Sequence, residues 1–206
     1  MATVIDALSI VENKKRLPCG AFFVDTNIII DYKDPFSTSL EDRRIALLNA
    51  DLGKVLHYLK SLSLVSHTTV SVAVEYYKHL QVGYYRTQTG SLKFETNEFK
   101  KQRANDIAFF TGWDLQIKTF KKLFKKNFPI HFDSTFTPDI LETFEGSKVD
   151  FGDHLLYNYM ISCPEALRCI FTNDSDFYSY EGEFYLLTTN KKIISQAKDD
   201  KKLFTI

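Results

Sequence analysis

Neither sign of charge is in excess in this chain. Lys and Arg together number 26, as do Asp and Glu, so the formal net charge is zero. Such a chain has no global field to draw in nucleic acid, and any phosphate-binding surface must be a local patch. Cysteine is scarce too. Cys19, Cys163 and Cys169 are odd in number and include no CxxC pair. That argues against a disulfide framework and for a reduced, cytoplasmic compartment, with the thiols acting as small buried apolar groups. The five histidines, His57, His67, His79, His131 and His154, form no zinc spacing. Long hydrophobic runs are lacking as well, because Asp25 interrupts the best one. No membrane span is therefore expected, and the N-terminus carries no signal-peptide pattern. Neither an internal repeat nor a low-complexity tract is present.

What remains is an ordinary globular composition over 206 residues, 44% hydrophobic and 25% charged, enough for one domain with a real core. The 18 Phe and 11 Tyr are expected mainly to fill it. The organising stretch is Ala21–Tyr32, AFFVDTNIIIDY. Its first apolar run suits a buried strand that ends at Asp25. Before it, Val4, Ile5, Leu8 and Val11 suggest an amphipathic helix within Thr3–Lys15, so that residues 1–19 form a helical N-terminal extension. After it come a Pro35 loop and a helix from Glu41, with Ser39 as its cap and Ile45, Leu48, Leu52, Val55 and Leu59 as its stripe. A strand follows at Leu64–His67, then a helix capped by Thr68 or Thr69. Tyr84–Thr96 reads as a polar connection, Glu98–Lys126 as one or two helices, and Ile140–Phe144 as a short one. Residues 84–148 are taken together as a helical elaboration. The last third gives a helix over Asp150–Ser162, strands at Cys169–Thr172 and Phe184–Leu187, a helix over Lys191–Lys198, and an edge strand at Phe204–Ile206. Strands alternating with helices predict a three-layer α/β/α domain, with a mostly parallel sheet of four or five strands.

Acids recur at strand ends or in first helical turns: Asp25, Glu75, Asp153 with Asp150 one turn before it, and the Asp174/Asp176 pair. In an open α/β sheet, ligands gather at the carboxyl ends of the strands. Any one of these acids read alone is a helix cap or a solvated charge. Brought together they repel one another, and a hard divalent cation is what makes such a cluster tolerable.

The motifs VDTNIII (Val24–Ile30), SVAVEYYK (Ser71–Lys78), DFGDHLL (Asp150–Leu156) and FTNDSDF (Phe171–Phe177) resemble, in this order, those of PIN-domain proteins. That family comprises the metal-dependent ribonucleases of the VapC toxins and of several RNA-processing enzymes. The resemblance covers nearly all of the chain. It implies catalytic acids at Asp25, Glu75, Asp153 and Asp174, with Asp150 and Asp176 as further metal ligands and Asn27 and Thr172 as supporting polar groups. It implies Mg²⁺ or Mn²⁺ as cofactor and hydrolysis of RNA phosphodiesters. It also implies a homodimer and, for the toxin type, an antitoxin protein as partner. The 74 residues between Glu75 and Asp150 are more than the helical hairpin usual there, which sets the chain apart from the compact toxins.

Other readings compete. A catalytically silent PIN-like scaffold would be expected to lack one of the acids, and all are present. A Toprim-type, DNA-cleaving domain would account for the DxD at Asp174 and Asp176 but leaves VDTN unexplained. A phosphatase of the haloacid-dehalogenase type needs an Asp where Asn27 stands. Lys118 and Lys122, in a lysine-rich helix, are candidate contacts for an RNA backbone, although a solvated helix face explains them as well.

Overall fold

The computed structural model describes residues 2–33, 36, 43–131, 144 and 150–204. Its frame is a parallel sheet with spatial strand order β1-β6-β5-β2-β3-β4. The strands are β1 (Ala2–Asp6), β2 (Ala21–Val24), β3 (Val65–Thr69), the two-residue β4 (Ile130–His131), β5 (Cys169–Phe171) and β6 (Phe184–Thr188). Every pairing among them is parallel. Helices flank the sheet, giving the expected α/β/α layers: α1 (Ala7–Glu12), α2 (Thr26–Lys33), α3 (Arg43–Ser61), α4 (Val70–Thr89), α5 (Thr96–Asn105), α6 (Ile107–Lys126), α7 (Phe151–Ser162) and α8 (Lys191–Asp199).

Strand β2 is buried along its whole length, as a parallel strand covered on both faces must be. It pairs with β3 on one side and β5 on the other. From β2 the chain runs outward to β3 and β4, then returns to β5 on the opposite side and continues to β6. The crevice beyond the carboxyl ends of β2 and β5 is therefore a topological switch point, where this class of sheet binds its ligands. Asp25 opens one wall of it and Thr172 the other.

Two expectations are corrected. Residues 2–6 are not helical. They form β1, paired in register with β6 from Ala2 opposite Phe184 to Asp6 opposite Thr188. The helical segment is only α1, capped by Asp6, whose carboxylate accepts from the Leu8 and Ser9 N–H groups. The N-terminal segment is thus an edge of the sheet and not a helical extension. Nor is Tyr84–Thr96 a polar connection throughout. Helix α4 runs on to Thr89, with Tyr84 and Tyr85 buried, and stops at Gly90, whose φ of 69° is the left-handed conformation glycine adopts at a helix end.

The two-residue β4 has no counterpart among the expected strands, and with β1 it brings the sheet to six strands against the four or five expected. The remaining helices follow the expected pattern. Gly53 does not interrupt α3, on which Leu52, Val55 and Leu59 are buried. Glu98–Lys126 resolves into α5 and α6, with Asp106 capping α6 through the Phe109 N–H. At the other end of the chain Leu203 makes a parallel bridge to Val4, and the Phe204 N–H donates to the Val4 carbonyl at 2.8 Å. The loop at Pro35, the Ser39 cap, residues 140–143 of the expected short helix, and residues 205–206 of the expected edge strand lie outside the described residues. So do the side chains of Ile45 and Leu48.

Candidate metal centre

Asp25 leaves β2 with its N–H still in the ladder, donating to the Phe171 carbonyl at 3.1 Å. The side chain, 3% exposed, is held from three directions. Its Oδ1 accepts from the Thr26 N–H at 2.5 Å. Its Oδ2 accepts from Asn27 Nδ2 at 2.5 Å and from the Thr172 hydroxyl at 2.6 Å. Thr172 Oγ in turn accepts from Asn27 Nδ2 at 3.1 Å and from the Asp174 N–H at 2.9 Å. One hydroxyl thus gives its proton to Asp25 and fills its acceptor sites with neighbours, the full capacity of that group. Asn27 and Thr172 thus both bond to the Asp25 carboxylate.

The segment after β5 is fixed by Asn173, which nothing in its local sequence singles out. Asn173 Oδ1 accepts from the Thr188 hydroxyl and from both the N–H and the hydroxyl of Thr189, each at 3.0 Å. Its carbonyl accepts from Asn190 Nδ2 at 2.8 Å, and its own N–H donates to Asn27 Oδ1 at 3.2 Å. Asn173 therefore ties the turn bearing Asp174 and Asp176 to the end of β6 and the start of α8. Within that turn the Asp176 N–H donates to Asp174 Oδ1 at 2.9 Å.

Glu75 and Asp153 come from early in their helices. Thr69 caps α4 by accepting from the Val72 N–H, which sets Glu75 in the second turn. Its Oε2 accepts from the Thr26 hydroxyl at 2.6 Å, a contact that makes Thr26 a second unanticipated member of the site. Asp150 caps α7, accepting from the Gly152 N–H at 2.7 Å, and Asp153 follows in the first turn. Between the two helix starts sits Gly152. A Cβ there would lie 3.1 Å from Asp150 Oδ1, tighter than usual, and 4.0 Å from Glu75 Oε2, an ordinary contact, so the glycine leaves room for the Asp150 cap.

Asp153, Asp174 and Asp176, all half-buried, each bring a carboxylate oxygen to within 4.8 Å of the other two. At an effective dielectric near 20, two full charges at that separation repel by about 3 kcal/mol. The titration behaviour reflects the crowding. Burial first, and then the charges of Glu75 and Asp174, push Asp25 up to about 7 against the opposing hydrogen bonds from Thr172 and Thr26. Asp153 is pushed up to about 8 by burial and by Asp25, Asp174, Glu75 and Asp150. Asp176 is raised by burial and by Asp174. All six of the expected acids thus enter one set of mutual charge effects across the crevice. Asp150 spends one oxygen as a cap and lies outside the closest group.

The donor set is carboxylate oxygen, with no thiol or imidazole among the three closest groups. Such a set fits a hard divalent cation such as Mg²⁺ or Mn²⁺ and suits a soft metal poorly. Asp153, Asp174 and Asp176 would hold the ion, and Asp25 and Glu75, expected among the site acids, lie outside this closest group. Lys118 and Lys122 stand apart from this picture. Both lie on α6, and Lys118 pairs with Asp114 of its own helix at 2.7 Å. His154 is buried at 6% exposure beside Asp153 and packs against Phe144 and Tyr180.

No known family, curated protein or solved structure matches this chain. Among the described residues no helix is long and apolar enough to cross a membrane.

Proposed function

We propose that this chain is a divalent-cation-dependent nuclease, PIN-like in organisation, that hydrolyses RNA phosphodiester bonds. The observation that carries the reading is the meeting of acids from four separate segments at one crevice, with Asp25 and Asp153 brought near neutral titration by burial and by the neighbouring carboxylates. Perturbed carboxylates at a sheet switch point are a recurrent mark of a reaction centre.

When bound there, Mg²⁺ or Mn²⁺ would supply Lewis-acid stabilisation of a phosphoryl group and a more acidic water. The chain's own groups have distinct tasks. Asp153, Asp174 and Asp176 provide the oxygens that fix the ion. Asp25, locked by Thr26, Asn27 and Thr172, sets the charge at the floor of the crevice. Glu75 is exposed at the rim, and its Oε2 is occupied by Thr26. Its Oε1 is the atom that takes a proton from the attacking water. The reading places the enzyme in the reducing cytoplasm, in keeping with three free cysteines. Its toxin branch calls for an antitoxin protein, and both branches allow a homodimer.

The test is cleavage of mixed RNA and of matched DNA with Mg²⁺ or Mn²⁺, with EDTA, and with Asp25→Asn. Metal-dependent RNA cleavage that the variant loses supports the reading. Cleavage that survives EDTA, or full activity in the variant, removes it. Metal binding without cleavage of either substrate leaves a silent scaffold as the better description.

A further inference from the structure

In the segment that follows Asp176, one buried polar group has no hydrogen-bond partner among the described residues. The Tyr180 hydroxyl is shut off from solvent and bonds to none of them. Its place is not loose. The Tyr180 ring stacks on Tyr157 with centroids 4.1 Å apart and planes 16° from parallel. It also faces His154 at 6.4 Å and 28°, and leans on Phe177 at 5.6 Å. Tyr157 and His154 belong to α7, which carries Asp153, and Phe177 follows Asp176. The ring is clamped between the two segments that supply the closest acids.

The charges acting on the hydroxyl include those of Asp153, Asp176 and Asp150. Burial and those acids hold the phenol above its ordinary value, so it keeps its proton. A phenol donor shut off from solvent between these two segments, with no bonded acceptor among the described residues, is a place for a water. Divalent ions, Mg²⁺ above all, retain several waters when carboxylates bind them.

We propose that Tyr180 is a positioning residue whose hydroxyl holds a water of the divalent ion bound by Asp153, Asp174 and Asp176. The inference rests on the metal-centre reading and adds to it a group outside the acid set. Outer partners of this kind are typically worth 10- to 100-fold in metal affinity.

The experiment is a titration of the intact protein with Mn²⁺, following the signal of the free ion, in wild type, Tyr180→Phe and Tyr178→Phe. The Tyr180 variant removes one oxygen and keeps every ring contact. Tyr178 serves as the control, since its hydroxyl donates to Asp200, away from the acids. The expected result is affinity weakened about 10- to 100-fold in Tyr180→Phe and unchanged in Tyr178→Phe. Equal affinity in wild type and Tyr180→Phe overturns this inference alone. A wild type with no saturable Mn²⁺ binding overturns the metal centre along with it. Should the variant misfold, wild type labelled at tyrosine Cζ decides the matter. Saturating Mg²⁺ must shift the Tyr180 resonance, and an unmoved resonance is contrary to the proposal.

Discussion

The acid crevice and the aromatic block that joins α4, α5 and α6 are built on opposite principles. In the block, Phe99 meets Trp113 at 5.0 Å and 88°, and Phe109 at 5.5 Å and 75°. Tyr84 meets Phe109 at 4.9 Å. These are the edge-on geometries aromatic rings favour, each worth about 0.5–1.5 kcal/mol beyond the area buried. The polar handle is satisfied, since the Tyr84 hydroxyl donates to the Phe109 carbonyl at 2.7 Å. In the crevice, by contrast, like charges are forced together, and the Tyr180 hydroxyl bonds to none of the described residues. One region supplies stability and the other stores repulsion that a cation can relieve. Truncation in the first must destabilise, whereas neutralisation in the second must stabilise while removing function.

The largest expected effect lies in the crevice. Asp25→Asn should lower RNA cleavage by about a thousandfold or more, a loss of roughly 4 kcal/mol in transition-state stabilisation, measured as initial rates in Mg²⁺. Activity within tenfold of wild type would erase the contrast. Next comes the block. Phe99→Ala should cost about 3–5 kcal/mol of unfolding free energy in urea. A loss below about 1 kcal/mol would show that the rings do not hold α5 and α6.

The pH dependence comes third. In the native protein Asp153 titrates at about 8, far above an ordinary carboxylate. Between about pH 4 and 8 the folded state therefore keeps a proton that the unfolded state has released. Stability of the metal-free protein must fall as pH rises through that window. Asp153→Asn should flatten the slope and, near pH 8, stabilise by about 1–2 kcal/mol, an amount reduced by the partial exposure of the site. A variant less stable than wild type at that pH would contradict the repulsion account. Smallest of all, Lys118→Ala and Lys122→Ala should change stability by less than about 0.5 kcal/mol and cleavage by less than about threefold. A tenfold loss of cleavage would extend the RNA path onto α6.

Much of the crevice was legible because its parts are local. A strand ending at Asp25, a Thr69 cap before Glu75 and a helix start carrying Asp153 all show in short windows of sequence, whereas Asp150, expected as a metal ligand, proves to be the cap of that helix. What escaped was tertiary. β1 exists because Ala2–Asp6 pairs with Phe184–Thr188, at the far end of the chain, and no local period records that; Val4, Ile5 and Leu8 fit a helix equally well. Tyr84 and Tyr85 sit in a polar-looking stretch, yet α4 continues through them because α5 and α6 bury their rings. Thr26 and Asn173 join the site through contacts with distant elements, and each looks like an ordinary turn residue in the sequence.

The most direct measurement is calorimetric titration of the whole protein with Mn²⁺ at pH 7, repeated in buffers of different ionisation enthalpy. A cation that enters this crevice must displace the protons held by the crowded acids. The account predicts saturable binding with net proton release, both lost in Asp153→Asn. Absence of saturable binding, or binding with no proton released, would contradict it.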